Sequence, residues 1–243
     1  MAQVETRPFA VFDIDGTLIR WQLYHALADE LARAGCLGAI EYQTVRDARL
    51  HWKKRSSHDA FESYERTLVN LIDAALSGIS EEQFSAACTT VIEEYKDQVY
   101  TYTRDLIEKL RGDGYLLFAI SASQDQIVRL LAAYYQFDDC GGSLYEVKDG
   151  YFTGNKDVLQ RDRKPVLLKT LVNKHRASWK GSIAVGDSAS DIPMLESVEQ
   201  PIAFNPSREL FGYATERLWK IVVERKNTTY TLQPDGGKYF LAN

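Results

Sequence analysis

The stretch PFAVFDIDGTLIR, residues 8–20, decides the fold. Phe9 to Phe12 is continuously apolar, without the alternation of a half-buried strand, and so reads as a strand covered on both faces in a parallel sheet. The run stops at Asp13, and Asp15 follows with only Ile14 between them. Two carboxylates that interrupt a buried run are costly without a partner. A plain turn, favoured by Asp15-Gly16, is the competing reading.

The same pattern recurs outward from this segment. YLLFAI (115–120), SIAVG (182–186), PIAF (201–204) and KIVVE (220–224) are further strands of the buried type. Helical spacing separates them at about 125–135, 164–175, 189–197 and 207–216. Strands alternating with helices of this length predict βαβ crossovers and a parallel sheet. Residues 21–99 break the rhythm. Phe61, Tyr64, Leu68, Leu71 and Ala75 share one helical spacing, and Phe84, Cys88, Val91, Tyr95 and Val99 share another, with SGIS (77–80) between them. The expected fold class is therefore α/β: a Rossmann-like parallel sheet core (1–20 and 100–243) with an inserted all-helical domain (21–99). LYEVKDGYFTG (144–154), with Asp149-Gly150 between β-prone flanks, predicts a hairpin.

Composition narrows the function classes. The 243 residues, 45% hydrophobic, can bury a full core. A net charge of −5, from 29 basic and 34 acidic residues, gives no global case for nucleic acid as a partner. No apolar run approaches the roughly 20 residues of a transmembrane helix, and MAQVETRP lacks the pattern of a signal peptide. Cys36, Cys88 and Cys140 are widely spaced, which predicts reduced thiols in a cytoplasmic protein and no zinc site. The oligomeric state is left open.

Ligands of open parallel sheets bind beyond the carboxyl ends of the strands, and polar groups gather there. The first strand ends in Asp13 and Asp15, the second in Ser121, and a later one in VGDSASD with Asp187 and Asp191. Lys164 opens a helix 23 residues before Asp187. Such a rim suits phosphoryl transfer: a carboxylate nucleophile divides one difficult step into two. Carboxylates crowded together call for a cation, and Mg²⁺ suits a few carboxylates plus phosphate oxygens. Asp15 is placed to protonate a leaving oxygen and then activate water.

Asp13-x-Asp15-Gly16-Thr17-Leu18, Ser121 after an apolar strand, Lys164, and Gly186-Asp187-x-x-x-Asp191 resemble, in order, the four motifs of the haloacid dehalogenase superfamily. The helical insertion and the step from Lys164 to Asp187 resemble its phosphoserine phosphatase-like subfamily. The resemblance covers essentially the whole chain. It implies Asp13 as nucleophile, Asp15 as general acid/base, and Mg²⁺ held by Asp13, the Asp15 backbone carbonyl and Asp187. It further implies Asp191 orienting the metal's surroundings, Ser121 and Ala122 binding phosphate, and Lys164 neutralising nucleophile and phosphate. The implied activity is hydrolysis of a small phosphomonoester through an aspartyl phosphate. A phosphotransferase or mutase using the same intermediate is the alternative, and a non-catalytic relative that binds phosphorylated ligands is a third reading. Intact Asp13, Asp15 and Asp187 argue against the last.

Ser123 competes with Ser121 for the phosphate, and Lys169 with Lys164 for the cationic role. Pro165 stands where the related pattern often has glycine, and Ser190 where many relatives carry asparagine. The insertion resembles a cap that supplies specificity. Phosphoserine phosphatases resembling this chain carry an acid nine positions after the nucleophile, to pair with the substrate ammonium. That position here is Gln22, which disfavours phosphoserine as the substrate. Trp21, Tyr24 and His25 either line an apolar pocket or pack the first helix of the insertion. In VRDARLHWKKRSSH (45–58), Arg46, Arg49 and Lys53 share a helical face that either steers polyanions or is simply solvated.

Overall fold

The first strand, β1 (Pro8–Phe12), has partners on both edges, which is what its unbroken apolar run requires. The computed structural model describes residues 6–54, 57, 60–226 and 228–242, the side chain of Glu62 excepted. After β1 come α1 (Leu23–Arg33), α2 (Ala39–Lys53), α3 (Ala60–Ala75), α4 (Glu81–Tyr95) and α5 (Thr101–Gly112). Then follow β2 (Leu116–Gln124), α6 (Asp125–Tyr134), β3 (Asp139–Lys148), β4 (Tyr151–Asp157), α7 (Lys164–His175) and β5 (Ser178–Gly186). The chain closes with α8 (Ile192–Leu195), β6 (Gln200–Phe204), α9 (Arg208–Glu216), β7 (Lys220–Arg225), β8 (Thr228–Asp235) and β9 (Lys238–Ala242).

Two compact units form. One comprises 1–22, 95–143 and 158–243; the other comprises 23–94 and 144–157. In the first, the strand order is β3-β2-β1-β5-β6-β7-β8-β9. All neighbours from β3 to β7 are parallel, and β8 and β9 add as antiparallel strands. The sequence reading reached no further than β7. Asp235-Gly236-Gly237 between β-prone runs is the local signal of the final hairpin, with both glycines at positive φ. Phe9, Val11, Phe118, Ile120 and Ala184 pack with Leu168 and Val172 of α7 and Leu195 of α8, all buried. Phe12 lies opposite Ala119 on one side and Val185 on the other. Where β1 ends, β5 ends level with it on one side while β2 runs on past it to Gln124 on the other, which brings the polar groups of the three segments side by side.

An interaction with no sequence signal ties the segment after β1 to the sheet. Glu224 of β7, 8% exposed, accepts the Arg20 guanidinium at 2.5 Å and the N–H groups of Thr101 and Tyr102 at 3.2 and 2.8 Å. It satisfies two orphan donors at the start of α5 with the charge that a helix N-terminus favours.

The second unit keeps the helical body that the periodicity predicts and adds the β3–β4 hairpin. The hairpin turns at Asp149 and Gly150, both at positive φ. Glu81 N–H donates to the Gly150 carbonyl at 2.9 Å, and Phe84 and Phe152 rings meet at 4.9 Å, so residues 144–157 group with the helices. His25 is buried, its ring 4.9 Å from Tyr64 and 6.1 Å from Phe61, which gives it the packing role. The basic face of α2 loses its central member. Arg49 turns inward to both oxygens of Asp29 at 2.8 and 2.6 Å and to Tyr64 Oη at 2.8 Å. Arg46 and Lys53 remain exposed, whereas Arg55 and His58 of that stretch lie outside the described residues. Cys36, Cys88 and Cys140 are free thiols. No helix among the described residues is long and apolar enough to cross a membrane.

Candidate active site

Asp13 leaves β1 still donating its N–H to the Val185 carbonyl at 2.9 Å, so its position is set by the sheet. The chain then turns tightly, the Thr17 and Leu18 N–H groups both donating to the Ile14 carbonyl. Gly16 stands at φ +80, and a Cβ there would lie 2.3 Å from Asp187 Oδ2. The turn therefore requires glycine twice over, for its backbone and for the approach of Asp187. Thr17 is fully buried and its hydroxyl points to Asp187 Oδ1 at 3.4 Å.

Lys164, not Lys169, reaches this cluster. It is the first residue of α7, 1% exposed, and its Nζ donates to Asp13 Oδ1 at 2.8 Å and to Asp191 Oδ1 at 2.6 Å. Lys169 is exposed on the same helix. Pro165 is accommodated because the first turn of a helix has no use for its missing N–H. Asp191 is completely buried, and its second oxygen accepts Ser188 N–H and Ser188 Oγ–H, both at 3.0 Å. Ser188, which sequence reasoning passed over, forms a capping box with Asp191, and its hydroxyl meets that of Ser190 at 2.8 Å. The Ser-x-x-Asp spacing was the available signal.

On the opposite side, Ser121 and Ser123 both point to Asp15. Each hydroxyl donates to Asp15 Oδ2 at 2.8 Å. They share a face of β2 because they are two residues apart, and Ala122 between them is exposed on the other face. Gln22 is half-buried immediately before α1.

Electrostatically the cluster is short of positive charge. One carboxylate oxygen each from Asp13, Asp187 and Asp191 lies within 4.8 Å of the others, with Lys164 the only ammonium bonded to them among the described residues. Burial lifts the Asp13 carboxyl well above the ordinary carboxylate range, and Asp191's charge lifts it further against Lys164. Asp187 is pushed up to about 8, by burial first and Asp191 second. Burial would lower Lys164, but Asp13 and Asp191 outweigh it and hold the ammonium above its usual range. The donors are hard oxygens with excess negative charge, which fits a divalent cation of the Mg²⁺ type. Asp191 accepts protein donors on both oxygens, Lys164 on one and Ser188 on the other. A cavity of about 720 Å³, lined by residues such as Tyr115, Pro201 and Lys220, lies at the amino ends of the strands and contains none of these groups.

A pH prediction follows from the raised carboxyls. The folded state holds these protons more tightly than the unfolded chain, whose carboxyls titrate near 3.8, so their contribution to stability is lost as pH rises towards about 8. We expect the Tm of EDTA-treated protein to fall across that window. Added Mg²⁺ should flatten the fall by taking the protons' place. A Tm that ignores both pH and Mg²⁺ would show that no such cluster is buried.

Comparison with known proteins places the chain in a family. A family model described as haloacid dehalogenase-like hydrolase matches residues 10–196. A phosphoserine phosphatase of Mycobacterium tuberculosis is 28% identical over 204 residues, which make up 82% of this chain. The chain spans only 44% of that relative's length. A histidinol-phosphatase of Neisseria meningitidis is 25% identical over 222 residues, covering 88% of this chain and 97% of the relative. A crystal structure from Bordetella pertussis Tohama I, of a protein with unknown function, superposes with a TM-score of 0.71 at 24% identity, covering 89% of this chain and 98% of that one. It speaks to the fold alone.

Proposed function

The chain belongs to the haloacid dehalogenase-like hydrolases, and from that premise we propose that it is a Mg²⁺-dependent phosphatase of a small phosphomonoester, working through an aspartyl phosphate. The observation that carries the reading is the buried Lys164 ammonium bridging Asp13 and Asp191, with Asp15 held by two serine hydroxyls nearby. Asp13 and Asp187, with the Asp15 backbone carbonyl, would hold the ion, and Asp191 would orient this set. When bound, Mg²⁺ supplies charge that lets an anionic nucleophile approach an anionic phosphate.

The remaining work falls to side chains. Asp13 attacks phosphorus with a carboxylate oxygen while Asp15 gives a proton to the departing alcohol oxygen. Asp15 then takes a proton from water as that water attacks the phosphorus of the acyl phosphate, releasing Asp13. Lys164 holds one Asp13 oxygen, orienting the carboxylate for attack with the other. Ser121 and the Ala122 N–H are the proposed phosphate contacts. A screen of phosphorylated metabolites with Mg²⁺, following phosphate release, tests the reading. No release from any ester, with the protein folded, would overturn it.

The leaving group is proposed to be read by residues of the 21–99 insertion and not by this cluster, whose groups address phosphate and metal only. The relatives named above are a phosphoserine phosphatase and a histidinol-phosphatase, and both named substrates bear an amine. Gln22 offers no carboxylate to such a group. We expect poor phosphoserine hydrolysis by the native protein. Gln22→Glu should shift preference towards amino-bearing esters by roughly ten- to a hundredfold in kcat/KM, with Mg²⁺ dependence unchanged. Efficient native hydrolysis of phosphoserine would show that other residues hold the ammonium.

A further inference from the structure

Ser123 has no role in the scheme above, yet it is 5% exposed and its hydroxyl bonds a carboxylate of the cluster. It lies two residues beyond Ser121, so the pleat of β2 sends both hydroxyls to one face. Both donate to the same atom, Asp15 Oδ2, at 2.8 Å. Ser121 Oγ in turn accepts the Ser123 N–H at 3.0 Å, which fixes the direction in which its own proton points. Two donors on one oxygen, from one rigid strand, restrict the rotation of a short side chain far more than one donor does.

We propose that Ser123 is a positioning residue for proton transfer: with Ser121 it clamps Asp15 Oδ2, so that the carboxyl group is held in one orientation for proton exchange with the leaving oxygen and then with water. This rests on Asp15 acting as the general acid. In the first step an Asp13 oxygen bonds to phosphorus as the ester P–O bond breaks. The bond's electron pair goes to the departing oxygen, which takes the proton from Asp15. In the second step a water oxygen bonds to phosphorus and its proton passes to Asp15. The P–O bond to Asp13 then breaks, and its electron pair returns to that carboxylate. When phosphate enters, the Ser121 hydroxyl is drawn towards a phosphate oxygen, and Ser123 keeps Oδ2 in place through the exchange. The pairing explains why a phosphate-binding serine is followed at i+2 by a second buried hydroxyl.

The clamp predicts a dependence on the leaving group. An ester whose phenol is strongly acidic departs without help, while one with a weakly acidic phenol needs its proton. The experiment measures phenol release in the first turnover, with Mg²⁺, from 4-nitrophenyl phosphate and from phenyl phosphate, which differ little in shape. Ser123→Ala should slow phenyl phosphate roughly tenfold more than 4-nitrophenyl phosphate, with inhibition by inorganic phosphate unchanged. Ser123→Thr should restore the native ratio, and Ser123→Cys, nearly the same size and a weak donor, should behave as alanine does if the alanine variant fails to fold. Equal losses on both esters with weakened phosphate inhibition would make Ser123 a phosphate ligand and overturn the proposal, as would no loss on either. Asp15→Asn is the control. If it discriminates between the esters and Ser123→Ala does not, the clamp alone is wrong; if Asp15→Asn does not discriminate, the acid role of Asp15 is wrong.

Discussion

Asp13→Asn should abolish turnover, lowering kcat by at least about 10³-fold, while the protein stays folded. The amide cannot attack phosphorus, and Asp191 is not available to take its place, because both its oxygens are engaged by Lys164 and Ser188. The fold should survive because Asp13 is placed by the sheet, through its own N–H and the Val185 carbonyl, and not by its charge. In EDTA the variant's Tm should equal or exceed that of the native protein, because burial and Asp191 both oppose a charge at this position. Incubation with the best ester of the screen should leave native protein, but not Asp13→Asn, carrying phosphate that mass spectrometry detects. Activity within tenfold of the native protein would remove Asp13 from the mechanism.

Lys164→Met should be the most damaging change to stability. Lys164 is 1% exposed and holds two buried carboxylates, so its loss leaves Asp13 and Asp191 without their common partner. Removing one member of a buried ion pair costs about 3–5 kcal/mol. The cost should be smaller at acidic pH, where the carboxylates protonate, and Mg²⁺ should recover part of it by replacing the lost charge. Activity should fall by about 10²–10³-fold, the range seen when one group that stabilises developing charge is removed. Lys164→Arg should rescue neither property, because a guanidinium fork has no room where the ammonium is enclosed. Lys169→Ala should change nothing, being exposed. Native-like stability and rate in Lys164→Met would show that the bridge is dispensable.

Much of this was legible in the sequence because it is written in short-range patterns. A strand buried on both faces must be apolar throughout, so β1 announces both its own place and, by where it stops, the place of Asp13. Helix spacing, the Asp149-Gly150 turn and the order of the polar strand ends are likewise local. What the spacing could not decide was which of two similar residues turns inward. Lys164 and Lys169 are five positions apart on one helix, and the packing of α7 on the sheet buries the first and exposes the second. Arg49 looked like one member of a basic face until Asp29 and Tyr64 drew it inside.

The sequence by itself therefore determined the element types of the core as far as β7, the α/β class and the set of polar groups at the sheet's rim, since these depend on periodicity and residue chemistry over a few positions. Only the tertiary structure decided the pairings. Glu224 meets Arg20 across 204 residues, Ser123 meets Asp15 across 108, and Lys164 meets Asp13 across 151. Residues 144–157 joined the helical unit for the same reason. A hydrogen bond is directional and reaches only about 3 Å, so its partner is chosen by how strands and helices stack. No pattern along the chain records that stacking.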